Sequence, residues 1–251
     1  MEVHLLGTAG YHPNEDRHTA CLMIPEAGVV LDAGTGFFRV RDLIQTRNLH
    51  IFLSHCHLDH CFGLSFFIDV LHQKNVEDVF VYGHAEKLQA IRDHLFSEYL
   101  FPLKPDFHWT AIDPQDGATG RDVPLGGKVT WFPLTHPGGS LGFRLDWPDS
   151  NMAYITDTTA AADADYISFI RETGLLIHEC HFPDGFEAMA KTTGHSCLTP
   201  VAQVCAAAAV NQCVIVHLNP LSDGDASADL ASVKPIFENI SIGHDRTVLT
   251  F

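Results

Sequence analysis

The run Ser54-His55-Cys56-His57-Leu58-Asp59-His60 constrains this chain more than any other stretch. It follows Leu49-His50-Ile51-Phe52-Leu53, a short apolar, β-prone run that reads as a buried strand. Residues 62–71, just downstream, are apolar enough for a packed helix. Four metal-capable side chains, His55, His57, Asp59 and His60, thus crowd one strand-to-helix loop. Imidazoles and a carboxylate side by side are costly to desolvate without partners. A divalent cation supplies the partner, and this donor set suits zinc and its first-row neighbours. A merely solvated loop gains nothing from the order His-x-His-x-Asp-His.

The remainder of the chain is built to enclose such a loop. With 251 residues, 46% hydrophobic and 18% charged, it can bury a full core. No Pro/Gly/Ser-rich linker and no repeat divides it, so residues 1–251 read as a single domain. The Gly- and Asp-rich run 113–127 reads as a surface loop. A net charge of −16 argues against extended nucleic-acid binding, which needs a basic face. A small anionic substrate stays compatible, because bound metal inverts the local charge. Seventeen histidines against fifteen Lys+Arg also favour metal chemistry. The seven cysteines form no Cys-x-x-Cys pair, and no signal peptide opens the chain, which suggests reduced thiols and a cytoplasmic location. No apolar run reaches membrane-spanning length. Cys56 alternates with the motif histidines and reads as a small buried thiol rather than a ligand.

Strands and helices interleave, which gives an α/β class with a mixed sheet. Strands are expected at 3–7, 19–24, 28–31, 79–82, 128–134, 141–146, 152–155, 175–177, 213–216 and 247–251. Helices are expected at 85–96, 163–172, 201–210 and 227–237, the third opened by Thr199-Pro200 as cap and first position. Several strands end in a potential ligand: His136, Asp157 and His217. Sites in α/β proteins gather at such carboxyl ends. Asp32 also ends a strand; it either caps a turn or orients a metal-bound histidine. The histidines His4, His12, His18, His84 and His94 lack such context and read as surface or packing residues.

His-x-His-x-Asp-His, then a later His, an Asp after an apolar strand and a final His resembles the pattern of metallo-β-lactamase-fold hydrolases. Leu5-Leu6-Gly7-Thr8-Ala9-Gly10 and Leu31-Asp32-Ala33-Gly34 look like that family too, so the resemblance runs nearly end to end. It implies a four-layer αββα sandwich and two divalent ions, zinc by default, with Mn2+, Fe2+ or Ni2+ compatible. By that resemblance His55, His57 and His136 would hold one metal; Asp59, His60 and His217 would hold the other, with Asp157 bridging. Relatives of the flavo-diiron type place Glu where His57 stands, which disfavours oxygen reduction.

A second set of residues narrows the branch. His178-Glu179-Cys180-His181-Phe182 and Thr193-Gly194-His195-Ser196 are similar to segments of ribonuclease Z and related phosphodiesterases. There the Glu and the His form a pair beside the metals, so Glu179 and His195 join Asp59 as candidate catalytic residues. Strand alternation puts Glu179 and His181 on one face and His178 on the other. The residues alone also allow a loop histidine and a satisfied strand-end acid. Ribonuclease Z carries a long arm that grips transfer RNA between the equivalents of His136 and Asp157; here Asp157 follows His136 by 21 positions. The expected function is therefore hydrolysis of a small phosphodiester, of cyclic nucleotide or cyclic sugar phosphate type. A hydroxide bridging the metals would attack, and His195, steadied by Glu179, would serve the leaving group. The competing readings are a transfer-RNA 3′-end endonuclease, a thioester or lactone hydrolase and a non-catalytic metal-binding scaffold. Relatives are often dimers, so a homodimer is compatible.

Overall fold

The computed structural model describes residues 1–221 and 229–251. Six strands open the chain: β1 (Glu2–Gly7), β2 (Cys21–Ile24), β3 (Val29–Leu31), β4 (Asn48–Phe52), β5 (Asp78–Gly83) and β6 (His108–Ala111). They form one sheet, joined at its β1 edge by the last strand, β14 (Val248–Thr250). A second sheet holds β7 (Arg121–Val123), β8 (Gly127–Leu134), β9 (Ser140–Trp147), β10 (Ser150–Ile155), β11 (Leu175–Glu179), β12 (Gln212–Val216) and β13 (Ile240–Ile242), in that spatial order. Both sheets are mixed: β3 to β6 run parallel, as do β10 to β13, and the other pairings are antiparallel.

Alternation along these strands builds three apolar layers. Leu5, Leu22 and Phe52 of the first sheet meet Phe143, Tyr154 and Val214 of the second in a core between the sheets. On the outer face of the second sheet, Leu176 and Ile215 pack against Val201, Val204 and Cys205 of a long helix. On the outer face of the first, Ile51 and Val81 pack against Leu64, Val70 and Leu88. The result is the αββα sandwich of the metallo-β-lactamase fold.

The short helices are α1 (Val40–Leu43), α2 (Leu58–Cys61), α3 (Phe67–Leu71), α4 (Ala85–Ala90), α5 (Glu187–Thr193) and α7 (Leu230–Val233), with α6 (Leu198–Ala208) the long one. Several expectations need correction. The helix expected at 62–71 is split into a 3-10 segment, Phe62–Phe66, and α3. Gly63 causes the break: its N–H donates to Ala33 O at 2.8 Å, and a Cβ there would sit 2.1 Å from Gly34 O. The helix expected at 85–96 is α4 followed by a π-helical turn, Ile91–Leu95. The helix expected at 163–172 is only a 3-10 turn, Asp165–Ile167, closed by i→i+3 bonds, although Tyr166 and Ile170 are buried at helical spacing.

Helix α6 starts before Thr199-Pro200, because the Asp184 carboxylate accepts from Thr199 N at 2.9 Å and Thr199 Oγ1 at 2.6 Å. Proline costs no hydrogen bond inside a first turn, whose N–H groups have no partner within the helix. The run 113–127 holds β7 as well as a loop. Of the helix expected at 227–237, residues 227 and 228 lie outside the described residues, and α7 covers the rest only in part. No helix among the described residues is long and apolar enough to cross a membrane.

Candidate metal centre

The strands β3, β4, β8, β10, β11 and β12 deliver their carboxyl ends to one edge of the sandwich, where the two sheets meet. Backbone geometry turns their terminal side chains inward. Asp32, Asp157 and His217, which follow β3, β10 and β12, all have positive φ: 58°, 37° and 56°. Left-handed backbone is unusual for these residues and is held here by their surroundings.

Three groups of ligand atoms result among the described residues: Glu179, His195 and His217 form the smallest, and the two larger ones meet at Asp157. His55, His57, His136 and Asp157 form one; Asp59, His60, Asp157 and His217 form the other, each with its atoms within 4.8 Å of one another. Asp157 is common to both, with Oδ2 3.5 Å from His55 Nε2 and Oδ1 3.3 Å and 3.2 Å from His60 Nε2 and His217 Nε2. Ring nitrogens also face one another: His55 Nε2 and His57 Nδ1 at 3.0 Å, His60 Nε2 and His217 Nε2 at 3.2 Å. Lone pairs aimed at common points among carboxylates are what a pair of cations requires, so this donor set fits two divalent ions.

The far side of each ring explains why these nitrogens point inward. His60 Nδ1 lies 2.8 Å from Asp32 Oδ2, which also accepts from Tyr154 OH at 3.0 Å and Ser54 Oγ at 2.9 Å. Asp32 therefore orients a histidine, which decides between its two sequence readings. His55 Nδ1 contacts Ser54 Oγ at 3.0 Å, and His136 Nδ1 donates to Gly194 O at 2.9 Å. Gly194 makes that contact possible by ending α5 in the left-handed conformation, at φ 75°. Tyr11 N donates to Asp59 Oδ2 at 2.8 Å. His217 Nδ1 is buried without a partner, facing Gly10, where a Cβ would lie 2.4 Å away.

Beside the second group, Glu179 is fully buried and its Oε1 lies 3.2 Å from His195 Nδ1. The backbone N–H groups of Thr158 and His181 donate to the same carboxyl at 3.1 Å and 3.0 Å. Burial pushes Glu179 up to about 8 and His195 down to about 4, so the protein interior favours their uncharged forms. His178 faces away, as expected: Tyr166 OH donates to its Nε2 at 2.8 Å and its Nδ1 donates to Glu179 O at 2.7 Å.

All nine residues singled out from the sequence thus lie around one cavity of about 830 Å³ or immediately behind its wall. Two further histidines line it. His12, expected to be a surface or packing residue, is one, and His181, which stacks on His195 with ring centroids 4.8 Å apart, is the other. Strand alternation had put His181 on the face of Glu179; nothing in the sequence marked His12. Cys56 is only half-buried and lines the cavity without joining any of the ligand groups.

Residues 28–218 match the family described as the beta-lactamase superfamily domain. The chain belongs to that superfamily. It is a metal-dependent hydrolase of the metallo-β-lactamase fold, in the ribonuclease Z-like branch, and this fold generally binds two divalent metals. A protein named ribonuclease Z from Azobacteroides pseudotrichonymphae genomovar. CFP2 is 27% identical, over 99% of this chain and 98% of its own. That alignment runs over 294 positions against the 251 residues here, so the relative carries insertions that this hydrolase lacks. Among solved structures, the metallo-β-lactamase fold protein YhfI from Bacillus subtilis superposes with a TM-score of 0.77 at 18% identity, over 99% of this chain and 98% of that one. The short form of human tRNase Z gives 0.73 at 20%, over 100% of this chain and 99% of that one.

Proposed function

We propose that this hydrolase cleaves a small phosphodiester, of the cyclic nucleotide or cyclic sugar phosphate type. The observation that carries the reading is the Glu179–His195 pair, held at 3.2 Å at the edge of the ligand groups. Cleaving a diester expels a poor alkoxide leaving group, and an imidazole fixed by a buried carboxyl is suited to protonate it.

His55, His57 and His136 are the proposed ligands of one ion and Asp59, His60 and His217 of the other, with Asp157 shared. Zinc is the proposed metal. When bound, the ions supply an activated water and offset charge on the phosphoryl oxygens. Water adds to phosphorus and the bond to the leaving oxygen breaks, so that a cyclic diester opens to a single product carrying a phosphomonoester and a freed hydroxyl. With Glu179 protonated and its hydroxyl donating to Nδ1, neutral His195 carries its hydrogen on Nε2; it would pass that proton to the leaving oxygen as Nδ1 takes the proton of Glu179, which is left as the carboxylate. Asp59, fixed by Tyr11 N, orients the attacking water.

What stands between His136 and Asp157 supports a compact substrate. That interval is β9 and β10, joined by the two residues Pro148 and Asp149, with Trp147 paired to Ser150. No arm projects there. A second reading, cleavage of transfer-RNA precursors, is supported by the full-length similarity to ribonuclease Z. The test is kcat/KM for a cyclic nucleotide and a transfer-RNA precursor on the same zinc-loaded protein. Turnover of the cyclic diester with little cutting of the RNA is expected; efficient, position-specific RNA cleavage would reverse the order. His195→Ala should lower kcat roughly 10²–10⁴-fold with metal content unchanged. The loss should shrink with a nitrophenolate leaving group, and loss of metal instead would remove His195 from this role.

A further inference from the structure

The same cavity carries two imidazoles that neither the ligand set nor the Glu179–His195 pair uses. His181 lies with Nδ1 3.3 Å from His217 O, and His12 with Nδ1 2.9 Å from Pro13 O. A carbonyl oxygen only accepts, so in both contacts Nδ1 carries the hydrogen and the neutral ring keeps a lone pair on Nε2. Neither Nε2 has a partner among the described residues, and neither is among their buried unpartnered atoms. Both residues line the cavity and are partly accessible to it. Two backbone carbonyls thus set two imidazoles as hydrogen-bond acceptors on the walls of the site.

The rest of the lining fits one class of guest. No lysine or arginine lines the cavity among the described residues, so a second phosphate would find no fixed cation away from the metals. Tyr11 and Phe182 add aromatic surface. We infer that His181 and His12 read the hydroxyl groups of the substrate's sugar ring. This rests on the phosphodiesterase reading and adds to it the side chains that choose among diesters. Lipid-like diesters and those of hydroxyl-free rings would displace water from both acceptors without replacing its hydrogen bonds, which lowers their affinity.

The test measures binding, so that it does not depend on turnover. Calorimetry on the zinc-loaded protein compares ribose 5-phosphate with tetrahydrofurfuryl phosphate, the corresponding ring without hydroxyls. Ribose 5-phosphate should bind about tenfold more tightly. His181→Phe keeps a ring to stack on His195 but removes the acceptor; it should erase most of that preference while leaving tetrahydrofurfuryl phosphate unaffected. His181→Gln, whose amide oxygen accepts, should restore part of it. If His181→Phe does not fold, His12→Phe on its surface loop carries the same expectation. Equal affinity for the two phosphates in the unaltered protein, or a preference that survives these variants, overturns the inference. Diester hydrolysis alongside equal affinity overturns it alone; failure of both phosphates to bind overturns it together with the function on which it rests.

Discussion

Asp32 illustrates how much a single residue can hold. It is fully buried, joins Ser54, Tyr154 and His60, and sits at φ 58°. Asp32→Asn is the informative change, because asparagine tolerates left-handed backbone but loses the charge and exchanges one of the two accepting oxygens for an NH2 that cannot accept. Metal affinity should fall roughly 10–100-fold in a competition titration with a chromogenic chelator; an unchanged affinity would reduce Asp32 to a structural group. His178 gives a pH dependence. Burial lowers it from 6.5 to about 4, so it folds neutral and is protonated more readily when unfolded. Its contribution is complete above 6.5 and is lost as pH falls toward about 4, by up to about 3 kcal/mol. His178→Gln should be less stable at neutral pH yet lose less between those values, read as urea midpoints of metal-free protein. Parallel curves would show that other groups carry the acid sensitivity. The ligand positions were legible because each combines an unusual residue type with a strand end. His12 was not, because a histidine in a loop near the start of the chain carries no periodicity that says where the loop will lie.

Among the elements, strands that end at the site were read to within two residues, while β6, β7 and β13 were missed. The strands at the site contain apolar runs such as Val29–Leu31, Leu175–Ile177 and Val214–Val216, whereas His108–Ala111 and Arg121–Val123 are edge segments with exposed polar positions that resemble loops. The helical expectation at 163–172 failed for a different reason. Burial of Tyr166 and Ile170 obeys a helical period, but tertiary contacts at the ends, such as Glu172 N donating to Ala208 O at 2.9 Å, close the segment as turns. The start of α6 depends on a residue distant in sequence, Asp184, which no local cap pattern reveals. Asp184→Ala should destabilise the protein by about 1 kcal/mol, the usual value of a lost helix cap, with metal content unchanged. Urea unfolding measures it, and no change in midpoint would show that water replaces the carboxylate without cost.

For the whole molecule, the first sheet supplies His55, His57, Asp59 and His60, and the second supplies His136, Asp157 and His217. Ions bound between them should stabilise the folded chain by mass action. At zinc a hundredfold above Kd the gain is about 2.7 kcal/mol for one site, read as a rise in Tm that grows with zinc concentration and reverses with chelator. A Tm indifferent to zinc would contradict the proposed ligand set. The division of ligands has a consequence for motion. Coordination tolerates only small changes in distance, so the ions cannot remain bound if the two leaves of the sandwich part by even an ångström or so. The slowest rate at which labelled zinc exchanges would then keep time for the opening of the leaves, and substitutions in the core between them, far from any ligand, should set how fast that clock runs.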